Sequence, residues 1–94
     1  MSKEKILVID DEEHIANLVK DILEGEGFEV TLAYDGEGAL EKIHQIPPDL
    51  VILDLRLPGM SGYQVCQKIR EDISLAHIPI IMLTAKGSTS DKVI

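Results

Sequence analysis

Tryptophan is absent from this chain, phenylalanine occurs once, tyrosine twice and cysteine once. With so few rings the core has to be aliphatic, and the plentiful Ile, Leu and Val suit strands buried under helices. The single cysteine, Cys66, excludes an internal disulfide and is consistent with a reducing cytoplasm. Basic residues are scarce too: nine Lys and Arg against seventeen Asp and Glu leave a formal charge of −8. That surplus repels phosphate backbones and anionic lipid headgroups, so no direct contact with nucleic acid and none with a membrane is expected. No apolar run reaches the roughly 18 residues that cross a bilayer, and no signal-type apolar core follows the charged start Met1-Ser2-Lys3-Glu4-Lys5.

What is present is alternation between strand-type and helix-type segments in 94 residues, enough for one small domain. Lys5 to Ile9 reads as a first strand. Ile15, Leu18, Val19, Ile22 and Leu23 then recur at i, i+3, i+4, i+7 and i+8, giving one apolar helical face that Gly25 and Gly27 end. Glu29 to Ala33 alternates as a strand. Gly36 to Gln45 carries Ala39, Leu40 and Ile43 on one helical face, and Pro47-Pro48 forbids continuation. The apolar run Leu50-Val51-Ile52-Leu53 forms a buried strand that ends at Asp54. Ser61 is suited to cap a helix burying Val65, Cys66 and Ile69, and Pro79 leads into a fourth strand, Ile80 to Leu83. Ser88 or Ser90 would cap one further helix, of which Asp91 to Ile94 are the start. The order β-α-β-α-β-α-β with right-handed crossovers implies a doubly wound α/β sheet of four parallel strands.

In such a sheet a ligand sits at the carboxyl ends of the strands. The first strand runs into Asp10 and Asp11, the third into Asp54 and the turn Leu57-Pro58-Gly59-Met60-Ser61-Gly62, and the fourth into Thr84. Taken singly these residues have plainer readings. Asp10-Asp11-Glu12-Glu13 suits the start of a helix by complementing its dipole, and a strand-end Asp or Thr often only shapes a turn. Two acidic ends and one hydroxyl end at one edge instead suggest a site. Three clustered carboxylates repel one another unless a divalent cation lies among them, and oxygen donors of this kind suit Mg²⁺. Cys66 reads as core. His14, His44 and His77 lack metal-ligand spacing, and Lys86-Gly87-Ser88-Thr89 lacks the order of a phosphate-binding loop.

Three motifs, Ile6-Leu7-Val8-Ile9-Asp10-Asp11-Glu12, Asp54-Leu55-Arg56-Leu57-Pro58-Gly59-Met60-Ser61-Gly62 and Ile80-Ile81-Met82-Leu83-Thr84-Ala85, resemble in order and separation the receiver domain of bacterial two-component response regulators. The resemblance covers the whole chain, residues 1–94, and implies a flavodoxin-like sheet, here with four strands in the order 2-1-3-4 where the family has five. It implies that Asp54 accepts a phosphoryl group from a histidine kinase or phosphotransfer protein and that Thr84 contacts that group. It also implies Mg²⁺ held by Asp11, Asp54 and the backbone carbonyl of Arg56, with Asp10 holding a metal-bound water. Such a module is a signalling phosphoacceptor and not an enzyme acting on a separate substrate.

The family pattern departs at the far end. The chain stops before the fifth strand, with its lysine and switch aromatic, and before the fifth helix; Lys86 lies too close to Thr84 to match that lysine. A receiver lacking these parts would expose its fourth strand and its first helix, inviting self-association. The alternatives are a scaffold or self-associating module without productive phosphotransfer and a haloacid dehalogenase-type phosphatase. The latter needs an aspartate two residues after its nucleophile, where this chain has Arg56.

Overall fold

The computed structural model describes residues 3–83 and the backbone of residues 92 and 93. Four aliphatic runs form parallel strands: β1 (Lys5–Ile9), β2 (Glu29–Ala33), β3 (Leu50–Asp54) and β4 (Ile80–Leu83). They lie in the order β2-β1-β3-β4, joined by α1 (Glu13–Gly25), α2 (Gly36–Gln45) and α3 (Gly62–Glu71). Parallel neighbours need crossover connections, and each helix supplies one. The expected doubly wound order 2-1-3-4 is therefore present.

Side chains alternate across the strands. Leu7, Ile9, Val51, Leu53, Ile80 and Met82 point to one face, where they pack with Ala39 and Ile43 of α2 and Val65, Cys66 and Ile69 of α3. Ile6, Val8 and Val30 point to the other, under Val19, Leu23 and Phe28. Helix boundaries follow local chemistry. The Asp35 carboxylate accepts from Gly38 N–H at the start of α2, and Ser61 and Gln64 bond reciprocally at the start of α3. The turn after α1 passes through Gly27 at φ 98°, a conformation natural to glycine.

The apolar face of α1 is partly bare, as expected: Val19 and Leu23 are half-buried, and Ile15, Leu18 and Ile22 are 41%, 53% and 58% exposed. α1 packs on β1 and β2, with Val19 and Leu23 turned to Ile6, Val8 and Val30, and this leaves the Ile15, Leu18 and Ile22 side of its apolar face in solvent. Residues 92 and 93, expected to begin a further helix, instead form β5 (Lys92–Val93), antiparallel to β4, with Val93 opposite Ile81 and Lys92 opposite Met82. A helix nucleus fixes several residues for one hydrogen bond, whereas the backbone edge of β4 offers partners directly. The outer edge of β4 is thus paired at Ile81 and Met82, not bare. Ser88, Ser90, Asp91 and the segment Lys86-Gly87-Ser88-Thr89 lie outside the described residues.

Candidate metal and phosphoryl site

The parallel register builds the acidic cluster. Ile9 of β1 lies level with Leu53 of β3, so Asp10 and Asp54 lie side by side as the next residues on the same edge. Alternation sends both toward the face that carries Ile6, Val8 and Ile52. Asp11 follows at the approach to α1. Asp10, Asp11 and Asp54 each present a carboxylate oxygen, and these oxygens all lie within 4.8 Å of one another.

Backbone donors fix two of the three. Glu12 N–H donates to Asp10 Oδ1 at 2.9 Å, and Arg56 N–H donates to Asp54 Oδ1 at 3.1 Å. The strand ends are pinned as well: Asp10 N–H donates to Ala33 O and Leu55 N–H to Leu83 O. Asp10 is only 9% exposed. Burial holds its carboxyl above the usual range; the Glu12 hydrogen bond opposes this, and the charges of Asp54, Asp11 and Glu12 add to the upward push. Among the described residues neither of the two ion pairs, Lys20–Glu24 and His44–Asp72, involves these carboxylates.

An open cavity of about 600 Å³ lies over the cluster, with Ile15, Arg56 and Leu83 in its walls. Hard oxygen donors, mutual repulsion and room for retained water together fit a small divalent cation such as Mg²⁺. The structure thus brings together Asp10, Asp11 and Asp54 and places Arg56 beside them. Thr84 lies outside the described residues.

The histidines do not join the site. His44 instead bonds Leu40 O through Nδ1 and Asp72 through Nε2, a link between the ends of α2 and α3 that no sequence spacing signals. Gly62 also acquires importance only in three dimensions. It is buried where α3 begins, with its N–H donating to Leu55 O.

Known proteins are similar to this chain in sequence and in fold. The chain is 45% identical over 92 residues to the DNA-binding response regulator MtrA of Mycolicibacterium smegmatis, covering 98% of this chain and 39% of that protein. It therefore spans about two fifths of the length of that curated relative. Among solved structures, the N-terminal domain of a response regulator receiver protein from Methanoculleus marisnigri superposes with a TM-score of 0.87 at 39% identity, covering 94% of this chain and 72% of that one. The response regulator TrrA of Thermotoga maritima, solved in complex with Mg²⁺ and BeF, gives 0.82 at 44% identity, with 89% and 71% covered. No described helix is long and apolar enough to cross a membrane. The sheet order, the acidic strand ends and a match to the response regulator receiver domain over residues 6–94 lead to one assignment: the chain belongs to that family of signalling modules.

Proposed function

We propose that residues 1–94 act as one receiver domain in the cytoplasm, taking a phosphoryl group onto Asp54 from a histidine kinase or phosphotransfer protein. The observation that carries this reading is the convergence of the Asp10, Asp11 and Asp54 carboxylates within 4.8 Å at the carboxyl edge of a parallel sheet. Solved relatives support it, one of them holding Mg²⁺ and BeF. Asp11, Asp54 and the Arg56 carbonyl would hold Mg²⁺, with Asp10 holding a water beside it. Bound there, Mg²⁺ supplies the positive charge that lets an anionic nucleophile meet an anionic phosphoryl group.

An Asp54 carboxylate oxygen attacks the phosphorus of phosphohistidine in line. The new O–P bond forms as the P–N bond breaks, and the electron pair returns to the imidazole nitrogen, which takes up a proton. Asp54 Oδ1 is held by Arg56 N–H. The nucleophile is thereby oriented before the donor arrives, and positioning supplies much of the rate. Thr84 donates to a phosphoryl oxygen. Water later attacks phosphorus, the O–P bond to Asp54 breaks, and the carboxylate is restored with release of phosphate. The module thus carries a signal and turns over no separate substrate. Its charge of −8 opposes direct nucleic-acid contact by these residues.

Incubation with acetyl phosphate and MgCl₂ should add one phosphoryl group to Asp54, stable in acid and labile in base, and Asp54→Asn should abolish it. Mg²⁺ alone should raise the melting temperature, by about 2.7 kcal/mol of stability at a hundredfold excess over Kd. Asp11→Ala should remove that gain. A phosphoryl group found on Asp10 or Asp11, or a melting temperature indifferent to Mg²⁺, overturns the assignment. No adduct at all favours a receiver-fold scaffold.

A further inference from the structure

Gly62 opens α3 without a positive φ, the conformation that singles out Gly27 and Gly59. Backbone conformation therefore does not call for glycine here, and in a helix glycine costs about 1 kcal/mol relative to alanine. Close approach does call for it. A methyl group on Gly62 would stand 2.7 Å from the carbonyl oxygen of Asp54, 2.8 Å from Leu55 Cα and 3.3 Å from the Asp54 carbonyl carbon. All three are backbone atoms of the peptide joining Asp54 to Leu55, and no rotamer change clears them.

Something would have to move, and the surroundings decide what. The first turn of α3 is tied by the Ser61–Gln64 capping box and anchored by buried Val65, Cys66 and Ile69. The other party is the Asp54–Leu55 peptide at the end of β3. Displacing it disturbs the Leu55 N–H bond to Leu83 O and the Arg56 N–H bond to Asp54 Oδ1, both 3.1 Å. The Asp54 carboxylate would then shift relative to Asp10 and Asp11. Gly36 makes a useful contrast: a methyl there would meet Val65 Cγ2 at 2.9 Å and Met60 Cβ and Sδ at 3.0 and 3.1 Å, atoms of side chains and not of the Asp54 peptide. Gly25 has nothing within 4 Å.

We propose that Gly62 is a positioning residue for Asp54: its missing side chain lets the first turn of α3 press on the Asp54–Leu55 peptide and hold the carboxylate in register with Asp10 and Asp11. The inference rests on the reading of Asp54 as phosphoacceptor and adds the element that sets its place.

The test compares the unmodified protein, Gly62→Ala and Gly25→Ala. Mg²⁺ affinity is read by calorimetry, the rate of phosphorylation by acetyl phosphate from intact mass, and stability by urea denaturation. At a temperature where all three are native, Gly62→Ala should slow phosphorylation roughly tenfold to a hundredfold and weaken Mg²⁺ binding, while Gly25→Ala changes neither. A merely structural role would lower the urea midpoint and leave both site readouts alone. Native Gly62→Ala with unmodified Mg²⁺ affinity and phosphorylation rate overturns the inference. Should Gly62→Ala fail to fold, the unmodified protein decides: on Mg²⁺ titration the Gly62 amide resonance should move with those of Leu55 and Arg56 at one apparent Kd, and a stationary Gly62 amide overturns it. Failure of the underlying reading would show in the unmodified protein, as absence of both Mg²⁺ binding and phosphorylation; failure of the positioning role alone would leave these intact.

Discussion

The two faces of the sheet are built from the same kind of residue but finished differently. On the α2/α3 face, β-strand Leu7, Ile9, Val51, Leu53, Ile80 and Met82 meet two helices and the loop residues Leu75 and Ile78, and nearly every apolar side chain is buried. On the α1 face Ile6, Val8 and Val30 are buried, yet Leu50 and Ile52 are only partly covered and α1 shows Ile15, Leu18 and Ile22 to solvent. One face therefore holds the fold together, and the other leaves apolar surface available. The acidic site opens toward the second: Ile15 and Leu83 line its cavity. The proposed site thus sits on the less complete face, supported from behind by the complete one.

The same substitution on each face tests this most severely. Ile43 of α2 is 0% exposed and Ile22 of α1 is 58% exposed. Ile43→Ala should cost about 2–5 kcal/mol through lost burial and the cavity left behind. Ile22→Ala should stay within about 0.5 kcal/mol in dilute solution. Urea denaturation of both variants provides the measurement. Equal costs would mean that the α1 face is covered in solution, and the comparison would fail.

The exposed stripe also has a concentration-dependent consequence. Packing the Ile15, Leu18 and Ile22 stripes of two copies together removes apolar surface from water at about 25 cal/mol per Å². Light scattering over a dilution series should therefore show association, and Leu18→Lys should diminish it. A monomer of unchanged mass over that series sinks the expectation and leaves the α1 face simply wet.

Much of this architecture is written locally in the chain. β1, β2 and β4 run over Lys5–Ile9, Glu29–Ala33 and Ile80–Leu83 as their composition leads one to expect, and α2 fills Gly36–Gln45 between Asp35 and the prolines. Period, cap and breaker are all near neighbours, so a linear reading finds them. Asp10, Asp11 and Asp54 are legible for a related reason: parallel strands deliver their carboxyl ends to one edge, and adjacency follows from topology. Other features depend on distances that no local pattern encodes. Periodicity shows that Ile15, Leu18 and Ile22 share a helical stripe but not whether anything covers it. β5 exists through pairing with β4, Gly62 is required by a peptide seven residues earlier, and His44 finds Asp72 across 28 residues.

The helix starts sharpen the contrast on a smaller scale. α3 begins with a reciprocal box, in which Ser61 Oγ accepts from Gln64 N–H at 3.2 Å and Ser61 N–H donates to Gln64 Oε1 at 2.9 Å. α1 begins at Glu13, and Glu12, which precedes it as the capping residue, makes no side-chain cap bond. Ser61→Ala should therefore cost about 1 kcal/mol, whereas Glu12→Ala should change stability by less than about 0.5 kcal/mol. Thermal melts resolve that difference, and comparable losses would show that α1 draws on a cap of its own.

The smallest effect belongs to the clasp between α2 and the end of α3. His44 Nδ1 lies 2.8 Å from Leu40 O and Nε2 lies 3.0 Å from Asp72 Oδ2. Both partners only accept, so making both bonds at once requires a proton on each nitrogen, the imidazolium form. The bond to Asp72 first, and then the Leu40 carbonyl, raises the His44 pKa above 6.5. Asp72 is lowered to about 2, chiefly by the Ser74 hydroxyl and next by His44. A raised histidine pKa contributes stability that is whole below its unfolded value and is lost as pH rises through the folded one. The lowered Asp72 contributes above its unfolded value of 3.8, and that part fades as pH falls toward 2. The clasp should hold best between those limits, in mildly acidic solution, and loosen on the alkaline side. Because the pair is solvent-exposed, screening keeps its contribution small. The melting-temperature difference between the unmodified protein and His44→Gln should accordingly be positive near about pH 5.5 and shrink by about pH 9. A difference that stays constant over that span would show that His44 acts by packing and not by charge.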